Sequence, residues 1–94
     1  MSANVKVPTI LRPHVGGEPV VGVEVDGGRS LREVLDDLER RYPGFSASIV
    51  AEDGGLHRFV NVYLNGEDIR YLWSLETEVN DGDTVSILPA VAGG

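Results

Sequence analysis

No cysteine occurs anywhere in the 94 residues. That removes disulfides, thiolate metal ligands and a cysteine nucleophile together, and it fits a cytoplasmic protein better than a secreted one. Lysine is almost as scarce: Lys6 is the only one, so chains built by joining copies of this protein through side-chain amines would have almost no acceptor. No stretch approaches the roughly 18 apolar residues of a membrane span, and Met1 to Lys6 lacks the basic start and apolar run of a secretory leader. Basic residues are outnumbered, 8 Lys and Arg against 15 Asp and Glu, for a net charge of −7. The expected partners therefore exclude nucleic acid and anionic membrane, and the acidity suits protein partners with basic faces. His14 and His57 are isolated and form no H-E-x-x-H pair, so no metal site is expected. Neither G-x-x-x-x-G-K-[ST] nor G-x-G-x-x-G is present, and the scattered Ser, Thr and His residues make no triad. No catalytic side chain is assigned, and the chain does not read as an enzyme.

What is present is the pattern of a small two-layer domain. Val5 and Val7 alternate with polar residues and predict a first strand over residues 4 to 10; Val21, Val23 and Val25 predict a second, paired with it across a long turn-rich loop. Ser30-Leu31-Arg32-Glu33 is a capping box, followed by Leu31, Val34, Leu35 and Leu38 at helical spacing until Pro43-Gly44, which predicts a helix over 31 to 42. Residues 45 to 57 carry no firm signal beyond a short helical turn through Phe45, Ile49 and Val50. Phe59 to Leu64 is strongly β-prone and ends at Asn65-Gly66, a hairpin turn signal. Ile69 to Trp73 reads as a short strand or turn, with Leu72 or Trp73 covering the core. Thr84 to Leu88 follows an Asn-Asp-Gly-Asp turn, with Val85 and Ile87 facing inward and Leu88 outward.

One helix across a four- or five-stranded mixed sheet, with the first and last strands as parallel neighbours at its centre, is the ubiquitin-like β-grasp, an α+β fold. Residues 1 to 88 form that domain in this reading, and 89 to 94 form a tail. Gly-Gly also occurs at 16–17, 27–28 and 54–55, where it reads as turns; only Gly93-Gly94 bears a free carboxylate. Glycine has no side chain to clash in a narrow channel, and six extended residues reach about 20 Å. Phe59 and Tyr63, if exposed on the sheet, would join Leu88 in an apolar docking patch.

The ending Val79-Asn80-Asp81-Gly82-Asp83-Thr84-Val85-Ser86-Ile87-Leu88-Pro89-Ala90-Val91-Ala92-Gly93-Gly94 resembles that of the ThiS/MoaD family of prokaryotic ubiquitin-like sulfur carriers. Val7-Pro8-Thr9-Ile10-Leu11-Arg12-Pro13-His14 and Leu56 to Arg70 resemble its cysteine-biosynthesis branch. The resemblance implies adenylation of the Gly94 carboxylate by an E1-like enzyme that uses ATP, with Val91, Ala92 and Gly93 threading into that partner, and conversion to a thiocarboxylate. It further implies sulfur transfer to an acceptor made from O-phosphoserine on a pyridoxal-phosphate-dependent cysteine synthase, and release of cysteine by a zinc-dependent JAMM-type peptidase. Service in thiamin or molybdopterin synthesis, and a role as a non-covalent interaction module or a protein modifier, remain open at this point.

Overall fold

The computed structural model describes residues 1–89. Its first hairpin follows the alternation of small apolar residues: β1 (Ser2–Lys6) and β2 (Val20–Glu24) run antiparallel, with Ala3 opposite Val23 and Val5 opposite Val21, all four buried. β1 starts and stops earlier than the expected 4 to 10. The cause is Pro8, whose carbonyl accepts the N–H groups of Leu11 (2.9 Å) and Arg12 (3.2 Å) and so opens a 3-10 helix over Thr9–Val15. That turn buries Leu11 and Val15 and leaves Ile10 exposed.

After a tight turn at Gly27-Gly28, β3 (Arg29–Ser30) leads directly into α1 (Leu31–Arg41). The capping box forms as expected: Glu33 N–H donates to Ser30 Oγ at 3.1 Å, and Ser30 N–H donates to the Glu33 carboxylate at 3.0 Å. Leu31, Val34, Leu35 and Leu38 are all buried. Replacing Ser30 by Ala removes one of these bonds and is expected to cost about 1 kcal/mol, lowering the thermal midpoint by roughly 4–8 °C for a domain of this size. Circular dichroism melts check this, and an unchanged midpoint would contradict the capping assignment.

The stretch from 45 to 57, which periodicity left unassigned, is organised by Glu39. Its carboxylate accepts the N–H groups of Gly44 (2.8 Å) and Ser46 (2.9 Å) and the Ser46 hydroxyl (2.8 Å). Those donors, Gly44 first, hold the Glu39 carboxyl below the ordinary carboxylate range. The turn they fix carries Phe45 and Ile49, both fully buried, into the core across a short 3-10 helix at Ser46–Ser48. A bridge between Val50 and Leu56 closes the loop, and Arg32 straps it down through Nη1 to the Gly54 carbonyl while Nε pairs with Glu76 at 2.8 Å.

β4 (Val60–Leu64) and β5 (Glu67–Asp68) form a hairpin around Asn65-Gly66. Both turn residues have positive φ, 50° and 89°, the two-residue turn whose twist matches that of the strands. The segment at 69 to 76 is two 3-10 turns, Ile69–Tyr71 and Ser74–Glu76, that place Ile69 and Leu75 inside. Leu72 packs on the core, whereas Tyr71 and Trp73 are 87% and 77% exposed, so the expected choice between Leu72 and Trp73 falls to Leu72. β6 (Glu78–Val79) pairs with β3, and β7 (Thr84–Pro89) completes the sheet.

The five-stranded order is β2-β1-β7-β4-β5. β1 and β7 are parallel at its centre, with Val5 opposite Val85, and the other pairings are antiparallel. Valines of the inner face and the apolar stripe of α1 enclose one core. This is the β-grasp arrangement expected from the order of elements.

Candidate functional site

The topology sends β7 through the middle of the sheet, with β1 on one side and β4 on the other. Alternation along β7 buries Val85 and Ile87 and turns Leu88 outward, 51% exposed, opposite Asn61 of β4; Pro89 stands opposite Val60. At the other end, the strand is anchored by Asn65, whose side chain accepts Thr84 N–H at 2.9 Å and donates to Asp83 at 3.0 Å. Val91, Ala92, Gly93 and Gly94 lie outside the described residues.

The three expected docking residues all surround the end of β7, but they do not make one patch. Tyr63, half-buried, faces Ser86 across the strands and is a diagonal neighbour of Leu88 on the outer face. Leu88 borders a groove of about 480 Å³ shared with Lys6, Val7, Arg12 and Val20. Phe59 instead borders a separate, mainly apolar recess of about 200 Å³, together with Ile10, His57 and Val60. Ile87 lines both. The separation arises because Phe59 precedes β4 and its N–H is held by His57 Nδ1 at 3.2 Å, with the two rings 5.8 Å apart, outside the alternation that places Asn61 and Tyr63.

Charge at this end of the molecule runs against the net value. Arg12 Nε donates to the Val7 carbonyl at 3.0 Å on the groove's wall. Arg70 reaches over the start of β4, donating to the Asn61 side chain at 3.0 Å and to the carbonyls of Val60 (2.7 Å) and His57 (3.1 Å). The Arg58 guanidinium lies 5.0 Å from the Phe59 ring centre. Among the described residues, Lys6, Arg12, Arg58 and Arg70 make no ion pair, nor does Arg29 at β3; the ion pairs lie at Arg32–Glu76, Arg40 and Arg41 with Asp37, and the N-terminus with Glu24 and Asp26. Four of the eight basic residues thus lie on the groove beside Leu88 or around the start of β4. Positions 6, 12, 58 and 70 are too far apart in sequence to read as a cluster. Only the β1–β7–β4 register brings them together.

Among the described residues, no cluster of three His, Cys, Asp or Glu side chains could hold a metal ion, and no helix is long and apolar enough to cross a membrane. Ile10, exposed beside Phe59, was not legible as a site residue. The signal for it was Pro8, two positions earlier, which converts the expected strand into a 3-10 turn.

The ThiS family profile matches residues 5–94. The chain is 49% identical over 96 residues to the sulfur carrier protein CysO of Mycobacterium tuberculosis, covering 100% of both, and 38% identical over 81 residues to small archaeal modifier protein 3 of Haloferax volcanii, covering 86% of this chain and 87% of that one. A chain in the crystal structure of the Amycolatopsis orientalis BexX/CysO complex superposes with a TM-score of 0.84 at 53% identity, covering 98% of this chain and 99% of that one. The profile match from the end of β1 through the terminal Gly-Gly, together with full-length identity to a sulfur carrier, makes this chain a member of the ThiS family.

Proposed function

We propose that this protein is a sulfur carrier for cysteine biosynthesis, loaded at the terminal carboxylate of Gly94. The observation that carries the reading is the 49% identity to the sulfur carrier CysO over the whole of both chains. The course of β7 supports it, since a central strand bordered by two recesses offers partners a fixed surface beside the last described residues. Residues 1 to 88 serve as the address and 89 to 94 as the reach. Val91, Ala92 and Gly93 thread into the partner, and Leu88, Phe59 and Tyr63 dock at the root.

A carboxylate is a poor acyl donor because its leaving group would be oxide. An E1-like partner using ATP therefore installs a better one: a Gly94 oxygen bonds to the α-phosphorus and pyrophosphate leaves. Hydrosulfide supplied by the sulfur source then attacks the acyl carbon, the C–S bond forming as the C–O bond to AMP breaks and the S–H proton passing to water, and the partner's hydrogen-bond donors stabilise the oxyanion formed between these events. The resulting thiocarboxylate is a soft nucleophile on a protein handle, which keeps its sulfur from diffusing away. In the cysteine branch it attacks an acceptor derived from O-phosphoserine on a pyridoxal-phosphate-dependent synthase. Acyl transfer from sulfur to nitrogen leaves cysteine amide-linked to Gly94, and a zinc-dependent JAMM-type peptidase hydrolyses that amide. The carrier supplies position and reach; the catalytic groups belong to its partners.

The likeness to an archaeal modifier protein favours a second reading in which the same activated Gly94 is joined to lysines of target proteins. Service to thiamin or molybdopterin synthesis would use the same loaded form. Offering thiocarboxylated protein to each acceptor separates these readings. The cysteine reading requires a carrier heavier by one cysteine residue in the presence of synthase and O-phosphoserine. Sulfur delivered only to another acceptor, or isopeptide conjugates in its place, would replace it.

A further inference from the structure

The groove between Leu88 and the 3-10 helix combines apolar walls with two cations. Lys6 is exposed on β1, opposite Ser86 of β7, and Arg12 is half-buried with Nε already committed to the Val7 carbonyl. Its two terminal nitrogens have no hydrogen-bond acceptor among the described residues, where no buried side-chain nitrogen or oxygen lacks a partner, so their N–H groups are available at the groove. On the opposite flank of Leu88, Arg70 is braced by three acceptors beside Asn61. A guanidinium fixed through Nε presents its remaining N–H groups as a fork suited to a carboxylate. A protein of net charge −7 in which, among the described residues, Lys6 and Arg12 beside Leu88 and Arg58 and Arg70 near the start of β4 make no ion pair is complementary to an acidic surface at that place and repels one elsewhere.

We infer that the enzyme that acts on the tail docks here with carboxylate side chains, one entering the Lys6–Arg12 groove and another meeting Arg58 and Arg70, on either side of an apolar contact with Leu88. This rests on the carrier reading only in taking the partner to be the tail-activating enzyme. It reverses the expectation from net charge that the partner's face is basic. The remainder of the surface, acidic on balance, then turns the carrier so that the tail approaches first, because the wrong orientations bring like charges together.

The test is the association rate of the full-length chain with its tail-activating enzyme, followed by stopped-flow fluorescence without ATP or sulfur donor. Lys6→Glu is expected to slow association about tenfold at low ionic strength, the deficit closing as salt is raised to about 500 mM and surface charges are screened. Arg12→Lys should retain more of the rate than Arg12→Glu, and Arg40→Glu on the far helix should leave it unchanged; circular dichroism confirms that each variant is folded. Equal rates for Lys6→Glu and the parent overturn the inference. A faster rate overturns it too, and indicates that the groove holds the chain's own Gly94 carboxylate. Because no chemistry occurs in this assay, failure of the carrier reading shows separately, as an enzyme that binds the parent but never loads it. An enzyme that does not bind the parent overturns both.

Discussion

Deleting Gly94 is expected to reduce thiocarboxylate formation below detection while leaving the thermal midpoint within about 1 °C of the parent. The terminal carboxylate would then belong to Gly93, about 3.3 Å nearer the body. Displacement of a reacting atom by as little as 1 Å costs on the order of a hundredfold in rate, and a full residue exceeds what local adjustment recovers. The fold should not respond, because among the described residues the core runs from Ala3 to Ile87. Intact-mass measurement of the loading reaction, beside a melt of the same sample, reads both halves. Normal loading of the shortened chain would show that the reacting group is not where the family likeness puts it; a large drop in midpoint would show that the tail belongs to the core.

The largest effect on stability is expected from Phe45→Ala. Phe45 is fully buried and is the largest side chain to be so, and truncating it should cost about 3–5 kcal/mol. Against a total of roughly 5–15 kcal/mol for a domain, that leaves a protein unfolded in part or in whole at 37 °C. Urea unfolding at 25 °C measures the loss. A cost under about 1 kcal/mol would mean that the turn fixed by Glu39 does not deliver Phe45 to the core as the structure has it.

Phe45 also marks where sequence reasoning stopped. The helix was legible because its cap, stripe and stop agree: Ser30 and Glu33 close the box, Leu31 to Leu38 form the buried face, and Pro43-Gly44 ends it. β4 and β7 were legible because Val60, Val62, Val85 and Ile87 alternate over long enough runs, and with β1 they imply the parallel centre of the sheet. Residues 45 to 57 were not legible, since what orders them is a carboxylate from the preceding helix and a guanidinium from its first turn, and such bonds leave no period. The first strand was misplaced because Val7 continues the alternation into a residue that is buried yet no longer in the strand. Ala3, buried opposite Val23, is too small to stand out as a core residue. At the site, Gly93-Gly94 was legible from its position at the end of the sequence, and it lies outside the described residues. The two recesses and the four cations were not, because they exist only once residues 6, 12, 58, 70 and 88 are brought together by the sheet.

The measurement that bears most directly on the function is the intact mass of the protein after incubation with ATP, an E1-like activating enzyme and a sulfur source. The carrier reading predicts a gain of about 16 Da, one oxygen exchanged for sulfur, placed by fragmentation on Gly94 and absent when ATP is withheld. An unchanged mass with an enzyme shown to be active on another carrier, or a gain placed on a residue of the folded body, would contradict it.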